Sequence, residues 1–191
     1  VAAEAFVRET EGGTRLDKTL AVSPTWAENH RFTDAIRSHL KQAGVLMEGQ
    51  EIVTHHSLQW TRQQLGDAAS YRPGLVVTFN RKTAGIVRGL SMVVERVEGD
   101  RVYFQGSNKP FEPRWHAARI DVAEPRSLEV SVGDRLLIRR NDRRAGLTNG
   151  DVVTLSHVES DGTIHTREGV VIHTQFRHFC HGYVVTSTSS S

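Results

Sequence analysis

The chain has 191 residues, a formal net charge of +2 and a single cysteine, Cys180. One cysteine excludes an internal disulfide framework, and the chain lacks the roughly 18 consecutive apolar residues that a membrane-spanning helix needs. The N-terminal residues lack the basic-then-apolar order of a signal peptide. These features predict a cytoplasmic protein with no membrane partner.

The first 60 residues predict alternating helices and strands. Residues 1–9 have helical spacing, and residues 20–22 form a short apolar run typical of a buried strand. From Trp26 to Gln42 apolar residues recur with a period near 3.6, which predicts an amphipathic helix with Arg37 on its solvent face. A second strand is predicted at 51–57. A strand, a turn and a helix form one half of a βαβ unit.

An internal repeat is predicted from residue 71 onward. Gly74 followed by LVVTFNR matches Gly133 followed by DRLLIRR, and the second copy carries two extra residues in its first hairpin. The spacing Gly85-x3-Gly89 recurs as Gly146-x3-Gly150. Each copy has the short strands and glycine turns of a small SH3-like barrel. Chance similarity of two β-meanders is the alternative.

The end of the chain predicts a return to an α/β sheet. Residues 182–188 are apolar without alternation, which is typical of a strand buried in a parallel sheet. A linker is predicted at 121–131, where Pro125 breaks the strand pattern. The predicted fold class is α/β plus β, a partial α/β lobe carrying an inserted pair of SH3-like β subdomains. The predicted boundaries are 1–70 for the lobe, 71–125 and 126–176 for the subdomains, and 177–191 for the return strand.

The most distinctive charge feature is an arginine-rich hairpin. Five arginines lie within residues 135–144. Guanidinium groups match phosphate oxygens in bidentate geometry, so the cluster indicates contact with a nucleic-acid backbone. A solvated, partly ion-paired loop is the alternative, and Asn141 either reaches a base edge or caps the turn. The predicted contacts here, with the equivalent hairpin of the first copy, are Arg139, Arg140, Asn141, Arg143, Arg144, Arg81 and Lys82.

A second candidate group follows the strand at 51–57. An aromatic or imidazole ring can stack on an unpaired base while an adjacent arginine holds the phosphate. These residues are His55, His56, Trp60 and Arg62. In the alternative interpretation, Trp60 packs in the core and one of the two histidines faces solvent.

No metal site and no catalytic set is predicted. His178, Cys180 and His181 offer three ligands within four residues, with His165 and His173 nearby, but a structural zinc site needs two separated pairs. Cys180 is more typical of a small buried apolar residue than of a nucleophile. The chain also lacks a phosphate-binding P-loop and a dinucleotide fingerprint, so no cofactor is expected in this chain.

Four segments together carry a family resemblance: LAVSPTWAENHRFTDAIRSHLKQAG, THHSLQWTRQQLGDAASYRPG, RRNDRRAGLTNGD and HGYVVTSTSS. Over essentially the whole chain they resemble the helicase region of conjugative relaxase–helicases of the TraA/TrwC (MobF) type, and more distantly RecD-like superfamily 1 helicases. The resemblance implies part of a second RecA-like lobe, interrupted by an SH3-like insertion near single-stranded DNA. It further implies that the bound strand is contacted by Ser23, Thr25, Thr186 and Ser187.

The resemblance also sets expectations for partners. Both ends of the chain look cut, so a fragment of a conjugative DNA-transfer protein is predicted, with ATP and Mg²⁺ belonging to the parent protein. Without the Walker and relaxase motifs the chain alone is not expected to be catalytically competent. Its expected partners are single-stranded DNA and the rest of the relaxase–helicase. The alternatives are an interaction module that acts as a translocation signal for the type IV secretion coupling protein, or a degenerate helicase copy that only clamps DNA.

Overall fold

A computed structural model describes residues 2–10, 21–23 and 26–186. The helices are α1 (Ala2–Glu9), α2 (Trp26–Gln42) and α3 (Arg62–Gly66). The strands are β1 (Ala21–Ser23), β2 (Gly49–Ser57), β3 (Val76–Phe79), β4 (Ser91–Glu98), β5 (Arg101–Phe104), β6 (Ile120–Ser131), β7 (Arg135–Ile138), β8 (Val152–Val158), β9 (Ile164–Thr166), β10 (Val171–Ile172), β11 (Phe179–His181) and β12 (Val184–Thr186). Within these residues no helix is long and apolar enough to cross a membrane.

The chain divides into two compact units. The first unit comprises Val1–Ile52, Leu128–Thr174 and Phe179–Ser191, and the second comprises Val53–Ser127 with Gln175–His178. Each unit is thus assembled from segments that are distant in sequence. At the coarse level the predicted class holds, since the described residues form a mixed, sheet-rich α/β plus β fold.

Helix α2 organises the apolar core of the first unit, and its bounds match the prediction. Ile36 and Leu40 are fully buried one turn apart, and they pack in a cluster with Phe6 of α1 and Val184 of β12. The expectation that Arg37 faces solvent is wrong, because this side chain is only 6% exposed. The reason is a buried carboxylate contributed by a distant segment, described below.

Two strands from distant parts of the sequence, β1 and β12, pair with each other. Strand β12 lies parallel to β1, with Ala21 opposite Val184 and Ser23 opposite Thr186. Parallel pairing was the expectation for the return strand. The predicted neighbour of β1 in a strand–helix–strand arrangement, β2, instead joins a different sheet. In the described residues, the α/β part of the first unit is therefore a parallel pair, β1 and β12, with α2 packed against it.

Two five-stranded sheets make up most of the remaining structure. One has the strand order β10-β9-β8-β7-β11 and the other the order β2-β6-β3-β4-β5. The linker predicted at 121–131 is wrong, because these residues belong to the 12-residue strand β6. Pro125 does not interrupt the ladder between β6 and β3, since that ladder ends at Ala123 and requires no amide proton from the proline.

The repeated copies share the same backbone hydrogen bonds. The Gly74 amide donates to Val94 at 2.9 Å and the Gly133 amide donates to Leu155 at 2.8 Å. Further along, the Gly89 amide donates to Phe79 at 2.7 Å and the Gly150 amide to Ile138 at 2.8 Å. A register shift follows Val94 in β4 and follows Leu155 in β8. These contacts confirm that the two strand–loop–strand segments are structurally equivalent.

Candidate nucleic-acid interface

The arginine-rich hairpin forms an ordered loop after β7, here called the second basic loop (residues 139–150). Asp142 and Leu147 close it by donating their amides to each other's carbonyls at 2.8 Å. The Asp142 carboxylate also accepts the amide of Arg144 at 3.0 Å. Gly146 ends the tip with a φ of 71°, which favours glycine over other residues. Local hydrogen bonds therefore hold the tip in one conformation.

The cations of this loop are divided between its tip and its base. Arg143 and Arg144 are exposed at the tip, and neither guanidinium pairs with a carboxylate among the described residues. Arg139 and Arg140 are half-buried at the base. The side-chain oxygen of Asn141 accepts the amide of Asn149 at 2.7 Å, so this residue caps the turn. The tip can therefore present two exposed cations to a polyanion.

The equivalent loop of the first copy, here called the first basic loop (residues 80–90), belongs to the second unit. Thr83 and Ile86 close it through reciprocal amide–carbonyl hydrogen bonds of 3.0 and 2.8 Å. Its cations Arg81, Lys82 and Arg88 are exposed, and the loop contains no aspartate or glutamate. The closing pairs enclose residues 84–85 in the first loop and residues 143–146 in the second. The two extra residues of the second copy thus lengthen the tip that carries Arg143 and Arg144.

The second predicted group lies along the segment from β2 to α3. The ring of His55 meets that of His178 edge to face at 5.3 Å, and Trp60 meets Tyr71 in the same way at 5.2 Å. Trp60 is half-buried and packs against the core of the second unit. His56 is half-buried as well, while Arg62 is exposed at the start of α3. The packing of Trp60 and His55 reduces the ring area available for stacking.

The residues expected to contact the bound strand by family resemblance are only partly described. The β1–β12 register places the backbones of Ser23 and Thr186 side by side, at the carboxyl ends of two parallel strands. Thr25 and Ser187 lie outside the described residues. The carboxyl ends of parallel strands are a common location for ligand-binding residues in α/β sheets.

Sequence reasoning missed a buried ion pair that links distant parts of the first unit. Arg37 of α2 donates from Nε to one oxygen of Asp134 at 3.0 Å and from a terminal nitrogen to the other at 2.9 Å. The Tyr183 hydroxyl donates to the same carboxylate at 2.7 Å, and the Ser131 amide donates at 2.7 Å. We call these four residues the Arg37–Asp134 network. It joins α2, the turn before β7 and the residue preceding β12.

Burial and charge determine the ionisation of this network. Burial opposes the charged form of Arg37, but the hydrogen bond to Asp134 and the charge of Asp134 outweigh it and raise the pKa of the guanidinium. Burial, with the charge of Asp134, also raises the pKa of Tyr183, so its hydroxyl remains a donor.

One feature of the sequence could have indicated this network. Asp134 occupies the position of the buried Leu75 in the first copy, and an acid at a core position requires a partner.

The cysteine and histidines near the end of the chain form no candidate metal centre. Among the described residues no group of three or more histidine, cysteine, aspartate or glutamate side chains could hold a metal ion. Burial raises the pKa of the Cys180 thiol to about 11. Its thiolate form is therefore scarce at neutral pH, where a nucleophile would need it.

We expect the raised pKa to be visible in the alkylation of Cys180. In the folded protein the thiol should react slowly with iodoacetamide at pH 8, and the rate should rise as the pH approaches 11. In urea the same thiol should react with the pH dependence of a free cysteine, whose pKa is about 8.5. Mass spectrometry of quenched samples measures both rates. Equal reactivity of the folded and unfolded chains at pH 8 would contradict the assignment.

Comparison with known proteins adds no assignment to this geometry. No family model matches the chain, and no curated protein matches it. The functional interpretation therefore depends on the arrangement of the described residues and on the motif resemblance. Among the predicted groups, each basic loop combines exposed cations with a hydrogen-bonded backbone, and each is by itself a candidate interface.

Proposed function

We propose that this chain binds single-stranded DNA as part of the motor region of a conjugative relaxase–helicase. The observation that carries the proposal is the tip of the second basic loop. There Arg143 and Arg144 are exposed, lack carboxylate partners among the described residues and stand on a hydrogen-bonded turn. Free guanidinium groups on a rigid turn release counterions when they meet phosphates, which favours binding to a polyanion.

The finer architecture is part of the same proposal. Residues 1–70 and 177–191 would belong to a second RecA-like lobe, and residues 71–125 and 126–176 to two SH3-like subdomains inserted into it. The parallel pairing of β1 with β12 supports the first assignment. The repeated strand–loop–strand hydrogen bonds support the second. Ser23, Thr25, Thr186 and Ser187 would then contact the backbone of the bound strand.

In this proposal the chain contributes DNA contacts and coupling within the motor lobe, and it does not hydrolyse ATP by itself. The remainder of the relaxase–helicase would supply the nucleotide site with ATP and Mg²⁺. The Arg37–Asp134 network supports a coupling role, because it connects the segment leading to the second basic loop with the segment leading to β12. In this proposal a shift of one segment would change the contacts of the other through the shared Asp134 carboxylate.

The test replaces both tip arginines. We expect Arg143→Ala with Arg144→Ala to weaken binding of a labelled oligo-dT. The slope of log affinity against log salt should fall by about 1.4, since each phosphate contact on a single strand contributes about 0.7. Fluorescence anisotropy between about 50 and 200 mM salt measures the slope. The matched control is Arg72→Ala with Arg126→Ala, which removes the same charge from two exposed arginines that pair with Glu124.

Two outcomes would contradict the proposal. The first is an absence of oligo-dT binding by the unaltered chain at low salt. The second is an equal loss in the control, which would indicate a general effect of net charge.

A second function is favoured by two exposed apolar residues of the first basic loop, Val87 at 58% and Leu90 at 39% exposure. A protein surface could cover them. Binding to a type IV secretion coupling protein without DNA binding would favour that interaction module.

A further inference from the structure

We infer that Trp115 is a stacking platform for an unpaired base of the bound strand. This inference rests on the proposed function, because it specifies a base contact of the same single-stranded ligand. Trp115 is 69% exposed, more than any other large apolar side chain described. An exposed indole is costly to leave in water and offers the strongest aromatic face for a nucleobase.

The indole is held in place before any ligand binds. Trp115 ends a short 3-10 turn, Pro113–Trp115, whose first residue is buried. Its Nε1 donates to the Glu112 carboxylate at 3.2 Å, and the guanidinium carbon of Arg114 lies 4.9 Å from the ring centroid. Hydrogen bonds from Arg114 and Trp115 lower the pKa of Glu112, so this carboxylate stays ionised and keeps both groups in position at neutral pH. A fixed aromatic ring loses little conformational entropy on binding.

The surface beside the indole favours a base over a phosphate. A cleft of about 340 Å³ is lined by Glu98, Asp100, Arg101, Tyr103, Glu112 and Arg114. Arg114 pairs with Glu112 at 2.9 Å and reaches Asp100 at 3.6 Å, which neutralises part of the lining. Arg101, whose positive charge also acts on the Glu112 carboxylate, is the second guanidinium of the lining, and it would meet the phosphate next to the stacked base. Because the lining carries both acidic and basic groups, it attracts phosphate weakly. We therefore expect the affinity for a DNA strand at this surface to come mainly from base stacking on Trp115.

Trp115 also replaces the stacking residue expected from the sequence. Trp60 presents its ring edge to face against Tyr71 and contributes to the core of the second unit. Of the two tryptophans whose side chains the structure describes, Trp115 is the more exposed, and a base would stack on the face opposite Arg114. The sequence predicted base stacking near Trp60. We assign it instead to Trp115, in the Pro113–Trp115 turn of the same unit.

The experiment compares oligo-dT with an abasic oligonucleotide of the same length, because the abasic strand keeps every phosphate and lacks the bases. Trp115→Ala should weaken oligo-dT binding about fivefold or more, leave abasic binding unchanged and leave the salt slope unchanged. Trp115→Phe should retain most of the affinity, since it keeps an aromatic face. The matched control is Met47→Ala, which removes another exposed apolar side chain, itself 66% exposed.

Each result has a defined meaning. Equal losses on the two oligonucleotides, or unchanged oligo-dT affinity in Trp115→Ala, would overturn the stacking assignment while leaving the proposed function intact. If the unaltered chain binds neither oligonucleotide, the proposed function fails and the stacking site fails with it. Because Trp115 lies outside the buried core, the thermal transition of Trp115→Ala should match that of the unaltered chain, and this comparison separates loss of stacking from loss of folding.

Discussion

Replacing Asp134 with asparagine should destabilise the first unit by up to about 3–5 kcal/mol, because it leaves the buried Arg37 guanidinium with only its longer contact to Glu129, at 3.4 Å, as a counter-charge. The carboxylate is fully buried, and it accepts from Arg37, Tyr183 and the Ser131 amide. Urea unfolding monitored by circular dichroism measures the loss. Because the network joins α2 with the segment before β12, the loss should be greatest for the parallel β1–β12 pair in hydrogen exchange.

Two variants separate the charge from the packing. Tyr183→Phe removes one hydrogen bond to Asp134 and should cost about 1 kcal/mol, while Arg37→Met with Asp134→Leu removes both charges and should recover much of the stability lost by Asp134→Asn. Tyr71→Phe is the matched control, since the Tyr71 hydroxyl donates to Leu65 at 2.6 Å within the second unit. A loss below about 1 kcal/mol in Asp134→Asn would show that the pair contributes little.

Gly133→Ala should destabilise the chain by about 2–4 kcal/mol, clearly more than the same change at the equivalent Gly74. Both glycines have left-handed backbones, with φ of 95° and 89°, so each substitution carries the strain of a side chain in that region. At Gly133 a Cβ would also lie 3.0 Å from the Val45 carbonyl oxygen and 3.2 Å from a Leu46 methyl group. At Gly74 nothing lies within 4 Å of the added carbon.

The pair of substitutions therefore separates backbone strain from steric overlap. Gly74→Ala should cost about 1–2 kcal/mol from strain alone. The midpoints of urea unfolding for the two variants give the difference, provided that the slopes stay equal. Equal losses at the two positions would show that Val45 and Leu46 move away without cost, which would contradict the close packing of this turn.

The segments that sequence predicted well are those in which neighbouring residues determine the conformation. The bounds of α2 follow from apolar residues repeated every turn, and the structure reproduces them. The repeat is visible because each left-handed turn needs glycine, and Gly74 and Gly133 occupy identical turns. The local sequence pattern predicted an arginine-rich hairpin, and Arg143 and Arg144 lie at its tip, between Asp142 and Leu147.

The errors arose where the outcome depends on a distant partner. Arg37 has the position of a solvent-facing residue in its helix, yet the carboxylate that it binds lies 97 positions away. The segment with Pro125 resembled a linker, because proline is rare inside strands. A proline disrupts only those ladder hydrogen bonds that its own amide would have made, so a strand can continue past it. Trp115 could not be distinguished from a core tryptophan, since exposure depends on which elements surround it.

By itself the sequence determined the helix and strand periods, the duplicated glycine turns, the basic composition of the two loops and the absence of a disulfide framework. These properties depend on contacts between residues near each other in the chain or on composition alone. Only the tertiary structure decided that β1 pairs with β12, that Asp134 neutralises Arg37 and that Trp115 keeps an open face. Such contacts join residues separated by long stretches of chain, and their free energy comes from burial and charge pairing that no local pattern encodes.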